Sequence, residues 1–151
     1  MFSFSKKKQF FTEEEKKRIV DTVQHAERRT SGEIRVFVES RCKYVDAIDR
    51  AAEIFFGLKM EKTADRNAVL LYIAMKDHQL AIFADEGIYK RLGQEYWNNE
   101  IKLLISNFNR EDNAAGICQC VTDIGEALYS NFPFDNKTDK NELPDDIVFG
   151  S

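Results

Sequence analysis

The segment that decides the fold is Ala68-Val-Leu-Leu-Tyr-Ile-Ala-Met75, eight apolar or aromatic residues in a row. A continuous apolar run of this length is typical of a central strand that is covered on both faces. Lys76-Asp-His78 is a short polar connection, and the chain is apolar again from Leu80 to Ala84. The two apolar segments are therefore predicted to pair as an antiparallel hairpin.

A further strand and a helix are predicted before this hairpin. Residues 33–39 alternate, with Ile34, Val36 and Val38 on one side, and this period of two indicates a strand. Thr12-Glu-Glu-Glu15 matches a capping box, which predicts the start of a helix that ends near Ser31-Gly32. The first strand would then follow this helix directly.

Helical spacing recurs in three other stretches. The predicted buried stripes are Ile48, Ala52 and Phe55 within residues 45–59; Trp97, Ile101, Leu104 and Phe108; and Ile117, Val121, Ile124 and Leu128. The predicted order is helix, strand, helix, strand, strand, helix, helix. Because helices lie before, between and after the strands, this order indicates an α/β fold, a three-layer α/β/α sandwich with a small mixed sheet.

The chain divides into one domain with two polar ends. Residues 1–10 are predicted to form an arm, residues 11–134 the domain, and residues 135–151 an acidic tail in which Ile147-Val-Phe149 would dock as an edge strand. The arm carries phenylalanines and three lysines, so it would either dock its aromatic rings on the domain or touch an anionic membrane.

Composition excludes several classes of protein. The 151 residues carry a net charge of −4, which is not the concentrated basic face that duplex nucleic acid requires. There is neither a signal peptide nor an apolar run long enough to cross a bilayer, so a soluble cytoplasmic protein without stable membrane insertion is expected. The three cysteines, an odd number, favour reduced thiols over a disulfide framework.

Familiar catalytic motifs are absent from the sequence. It contains no glycine-rich phosphate or dinucleotide loop, no G-x-S-x-G elbow and no H-E-x-x-H zinc motif. What is left is a group of carboxylates whose positions depend on the predicted topology.

These carboxylates are expected to converge at one edge of the sheet. The N-terminal ends of parallel strands share an edge, and the antiparallel third strand ends at that same edge. The acids placed there are Glu33, Asp65, Asp85 and Glu86, with Thr63 and Asn67 as neutral oxygens and Gly87 in a tight turn.

Clustered carboxylates repel one another unless a positive charge offsets them. A hard cation held by oxygen ligands, Ca²⁺ or Mg²⁺, is one solution. The alternatives are that Arg66 neutralises the acids or that they point into water. The opposite edge, where ligands of open α/β sheets usually bind, is the second candidate site; it holds Glu39, Ser40, Arg41, Asp77 and His78.

Two stretches resemble the TPM domain family. They are Thr30-Ser-Gly-Glu-Ile-Arg-Val36 and Asp65-Arg-Asn-Ala-Val-Leu-Leu-Tyr-Ile73, which are similar to the family's first and central strands. Asp77, Gly87-Ile88 and the ending Asn141-Glu-Leu-Pro-Asp145 add to the likeness, and the last is similar to small stand-alone bacterial members.

The resemblance implies an α/β/α sandwich that binds Ca²⁺ or Mg²⁺. The family includes a thylakoid-lumen protein proposed to be an acid phosphatase, but a fold does not carry an activity with it. Ala84-Asp-Glu-Gly-Ile88 is more acidic and less glycine-rich than the family's usual turn. Three hypotheses follow: a cation-binding module, a metal-assisted phosphatase, and a protein-interaction module that uses the arm or the tail.

Overall fold

The structure is a computed structural model that describes residues 10–108, 112–134 and 147–150. Most of the predicted arm and most of the predicted acidic tail lie outside the described residues, as does the Asn141–Asp145 stretch. The elements in chain order are α1 (Glu13–Glu27), β1 (Glu33–Glu39), α2 (Ala47–Gly57), β2 (Ala68–Ala74), β3 (Gln79–Ala84), α3 (Glu86–Leu92), α4 (Gln94–Phe108), α5 (Asn113–Asn131) and β4 (Val148–Phe149).

The strands form one mixed sheet in the order β3-β2-β1-β4. β1 and β2 are parallel, β2 and β3 form the predicted antiparallel hairpin, and β4 pairs parallel to β1 at the opposite edge. The predicted edge strand at Ile147–Phe149 is thus confirmed, and the side chain of Ile147 is buried.

Two apolar layers cover the sheet, so the predicted α/β/α sandwich is confirmed. Alternate strand residues such as Val36 and Leu71 pack in a large core with α1, α3, α4 and α5. The intervening residues, such as Leu70 and Tyr72, pack in a smaller core with Phe55 of α2. All seven residues of β2 are buried, as the continuous apolar run predicts.

The predicted start of α1 and the predicted buried face of α5 are confirmed, whereas the face of α2 is not. Thr12 caps α1 through the complete capping box. The predicted face of α2 is wrong in part: its buried residues are Ala51, Ile54 and Phe55, whereas Ile48 is 45% exposed. α2 packs mainly against β3, the edge strand of the sheet, so the start of its apolar stripe extends past the core.

The segment after β3 differs from the prediction. Asp85-Glu86-Gly87 is not a tight turn, because Asp85 caps α3 and the other two residues lie inside that helix. None of the helices in the described ranges is long and apolar enough to span a membrane.

Candidate functional site

The structure brings the predicted acidic residues to one edge of the sheet. Glu33 opens β1, Asp65 lies just before β2, and Asp85 follows β3. Two backbone hydrogen bonds join these segments, from Asp85 N to Ala68 O at 2.9 Å and from Glu33 N to Asn67 O at 3.4 Å. We call this the acidic edge.

Arg66 takes up two of the four predicted carboxylates. Its Nε and Nη2 donate to Oδ2 and Oδ1 of Asp85 at 2.7 and 2.8 Å, and its Nη1 donates to Oε1 of Glu86 at 3.1 Å. Asp85 is 3% exposed and also accepts a hydrogen bond from Glu86 N as the cap of α3. These hydrogen bonds to Asp85 raise the pKa of Arg66, so the guanidinium stays charged. For Asp85 and Glu86, therefore, the geometry agrees with the alternative that Arg66 neutralises the carboxylates.

Gly87 is required here by close approach of the backbone. Its N–H donates to Arg66 O at 2.9 Å. A Cβ at Gly87 would lie 2.1 Å from Asp65 O and 2.6 Å from Arg66 O. Since no real Cβ tolerates such distances, glycine is what allows α3 to pack against the segment that carries Asp65 and Arg66.

A third carboxylate of the predicted set, Asp65, belongs to a separate polar group with Ser31 and Asn67, which we call the Asp65 cluster. Ser31 Oγ donates to Asp65 Oδ2 at 3.5 Å and accepts from Asn67 Nδ2 at 3.1 Å. Asn67 is 1% exposed, and within the described residues its Oδ1 has no hydrogen-bond donor. Thr63, predicted as a neutral ligand, instead accepts a hydrogen bond from Asn67 N through Oγ1. Glu33 is buried at the start of β1.

The donor set at the acidic edge fits a hard cation only in part. Among the described residues, no three side chains of the His, Cys, Asp and Glu types are grouped so that they could hold a metal. A cation at the Asp65 cluster would therefore depend on one exposed carboxylate with neutral hydroxyl and amide oxygens. Ca²⁺ accepts such mixtures of oxygen ligands.

The second candidate edge is closed by internal hydrogen bonds. Glu39 is 4% exposed and accepts from Arg50 Nε and Nη2 at 2.9 and 3.0 Å. The Tyr72 hydroxyl donates to the same carboxylate. Burial, together with this hydrogen bond, raises the pKa of Tyr72 far above its usual range, so the hydroxyl keeps its proton. Glu39 is thus neutralised by groups of the protein itself.

Asp77 at this edge is also engaged. Its carboxylate accepts from Cys42 N at 2.8 Å and from Arg41 Nη1 at 3.1 Å. Ser40 accepts from Lys76 N through its backbone carbonyl at 2.8 Å. These contacts fix the connection between β2 and β3 and leave no grouped ligands there among the described residues.

A third polar group, around Glu100, was not predicted. Glu100 is 5% exposed, and it lines a cavity of about 260 Å³ together with Cys120 and Asp123. Burial and the neighbouring Asp123 charge raise the pKa of Glu100 to about 7, and burial also raises the pKa of the Cys120 thiol. The sequence carried a signal, because Glu100 occupies a position in the apolar stripe of α4 between Trp97 and Leu104.

Comparison with known proteins places the chain in a family. The TPM domain model matches residues 4–127. The NMR structure of BA42 from the psychrophilic bacterium Bizionia argentinensis is similar at 36% identity and a TM-score of 0.87, covering 97% of this chain and all (100%) of that one.

A second structure, the N-terminal domain of cg2496 from Corynebacterium glutamicum, shares the fold at 14% identity and a TM-score of 0.58, covering 79% of this chain and 74% of that one. None of the curated proteins matches the sequence. The match over residues 4–127 and the likeness to BA42 show that this chain belongs to the TPM domain family.

Proposed function

We propose that the protein binds a divalent cation, Ca²⁺ or Mg²⁺, at the acidic edge. The observation that supports this most directly is the Oδ1 atom of Asn67, a buried acceptor without a hydrogen-bond donor in the described part of the chain. A buried polar atom left in this way costs about 1–3 kcal/mol. A cation beside Asp65 would offset the carboxylate charge. It would also satisfy the amide oxygen if the Asn67 amide turns over, because Nδ2 is the atom that faces Ser31.

The cation would be held first by the Asp65 cluster, through the oxygens of Ser31, Asp65 and Asn67. The wider set of Glu33, Asp65, Asp85 and Glu86 requires Arg66 to release its two partners, so it would form at a further cost in free energy. Few charged ligands imply weak binding, with a Kd on the order of 10⁻⁴–10⁻³ M.

The test is a calcium and magnesium titration of the ¹⁵N-labelled protein. We expect saturable amide shifts at residues 31, 65 and 67, and about a tenfold weaker affinity in Asp65→Asn because the only exposed carboxylate of the cluster is lost. Asp49→Asn is the matched control, since Asp49 is exposed on α2 away from this edge. Shifts without saturation, or equal affinities in the two variants, would contradict the proposal.

A metal-assisted phosphatase is the second candidate, because the name of the matching family model joins the TPM domain to phosphatase activity. A cation at the Asp65 cluster would polarise a phosphoryl oxygen or activate a water molecule. The assay is hydrolysis of p-nitrophenyl phosphate by the wild type and by Asp65→Asn, each with and without Ca²⁺ or Mg²⁺. Equal rates in the two proteins, or no turnover, would count against this activity while leaving cation binding intact.

A further inference from the structure

A groove of about 690 Å³ runs along the outer edge of β3. Its floor is the connection and strand from Asp77 to Ile82. One wall comes from the start of α2 and the other from α4. The apolar side chains of the walls are Val45 and Ile48 on the first, and Trp97, Ile101 and Ile105 on the second.

The floor of this groove is an unpaired strand edge. β3 is the last strand on its side of the sheet, and Asp85 N donates to Ala68 O in the ladder with β2. Because antiparallel ladders alternate, the N–H and C=O groups of Leu80, Ile82 and Ala84 point away from β2. Within the described residues, no hydrogen bond uses these outward groups.

We propose that this groove binds an extended segment of a partner protein, which adds to β3 as a further strand. The outward backbone groups recognise another extended backbone, as in other cases of strand addition. β3 runs from Gln79 to Ala84, so it would pair with a segment of about five or six residues. This site is separate from the proposed cation site, because none of its lining residues belongs to the Asp65 cluster.

The walls define which side chains the segment carries. Successive side chains of an added strand point to opposite faces of the sheet. One set would therefore contact Val45 and Ile48, which are 92% and 45% exposed, and the other set would contact Ile105, which is 45% exposed. Both sets are expected to be apolar or to carry methyl groups.

The charge of the groove favours a basic residue at the end of the segment. Asp46 occupies the N-cap position of α2, but its carboxylate makes no capping hydrogen bond. None of the ion pairs in the described part of the chain includes Asp46. Among the residues that the structure describes, no lysine or arginine lines the groove. The negative charge of Asp46 also disfavours pairing of this groove with the same groove of a second copy of the chain.

The probe is the synthetic peptide acetyl-Arg-Val-Thr-Val-Thr-Val-Arg-amide, titrated into the ¹⁵N-labelled full chain. We expect saturable shifts and slower amide exchange at Leu80, Ile82 and Ala84. Two further peptides carry N-methyl groups on one or the other alternate set of backbone nitrogens. Only the set that faces β3 donates hydrogen bonds, so one methylated peptide should bind about tenfold more weakly and the other should bind like the parent.

A pair of protein variants tests whether the charge of Asp46 contributes to peptide binding. Asp46→Asn keeps a good capping residue and should weaken peptide binding about threefold at low salt, whereas Asp49→Asn, one turn further along α2, should not. Equal binding of the two methylated peptides, shifts away from β3, or no saturation at about 1 mM peptide would overturn the proposal. A gain of about tenfold on removal of residues 1–10 would also overturn it, because the chain's own arm would then be the occupant.

Discussion

Arg66 and Asp85 are joined by two parallel hydrogen bonds, 2.7 Å from Nε to Oδ2 and 2.8 Å from Nη2 to Oδ1. Paired hydrogen bonds between a guanidinium and a carboxylate are strong and fix the geometry of both groups. Arg66 reaches this position from a left-handed backbone conformation with φ of 50°. The pair therefore ties the start of β2 to the start of α3 and shields one carboxylate of the acidic edge.

Replacing Arg66 should destabilise the protein. Arg66→Asn suits the left-handed backbone but leaves the Asp85 carboxylate buried without its partner, so the free energy of unfolding should fall by about 1–3 kcal/mol in urea denaturation. Arg41→Asn removes the more exposed pair with Asp77 and should cost less than about 1 kcal/mol. Equal losses in the two variants would mean that burial of Asp85 carries no extra penalty.

The backbone contact at Gly87 predicts an unequal pair of glycine substitutions. Gly87→Ala should lower the free energy of unfolding by about 1–3 kcal/mol or more, because the new Cβ would overlap Asp65 O and Arg66 O. The new Cβ of Gly57→Ala meets no atom of the described residues within 4 Å, and alanine favours the helix, so this control should be neutral or stabilising by about 0.5 kcal/mol. Thermal or urea unfolding measures both, and a tolerated Gly87→Ala would refute the close approach.

The raised pKa of Glu100 predicts that stability depends on pH. The pKa rises from 4.5 to about 7 on folding, so above pH 4.5 the unfolded chain releases a proton that the folded chain retains. The folded state is therefore penalised as the pH rises from about 4.5 to 7, and the penalty is constant above that range.

Glu100→Gln removes this penalty. The variant should gain about 2 kcal/mol of stability over the wild type at pH 8 and much less at pH 5. Urea denaturation at the two pH values is the measurement. Glu95→Gln, an exposed position on the same helix, should show no such difference. A gain for Glu100→Gln that is identical at pH 5 and pH 8 would show that Glu100 is ionised throughout.

Strand identity and pairing could be predicted from the sequence because the apolar runs carry the burial pattern directly. The helix α3 could not, since it is only seven residues long and buries Ile88 alone among its side chains, which leaves no stripe to detect. From sequence alone, Gly87 indicates a turn, because the close backbone contact that requires glycine is visible only in the structure. Ile48 was misplaced because a stripe at helical spacing does not reveal where a helix passes the edge of a sheet.

The acidic edge could be predicted from topology, since strand direction places Glu33, Asp65 and Asp85 together. The contacts of each carboxylate could not be predicted, because they depend on the backbone conformation of Arg66 and on the buried amide of Asn67. At the opposite edge, the hydroxyl of Tyr72 within an otherwise aliphatic strand was a usable signal, as a buried hydroxyl needs a partner. Its partner Glu39 lies on the neighbouring strand.

The contact between Tyr72 and Glu39 predicts a coupled pair of substitutions. Glu39→Leu removes the acceptor and leaves the buried hydroxyl unsatisfied, whereas Glu39→Leu with Tyr72→Phe removes both partners. The double variant should therefore be more stable than additivity allows, with a coupling of about 1 kcal/mol in a double-mutant cycle by urea denaturation. The matched cycle with Tyr89→Phe, at an exposed tyrosine of α3, should be additive. Additivity in the Tyr72 cycle would show that its hydroxyl does not depend on Glu39.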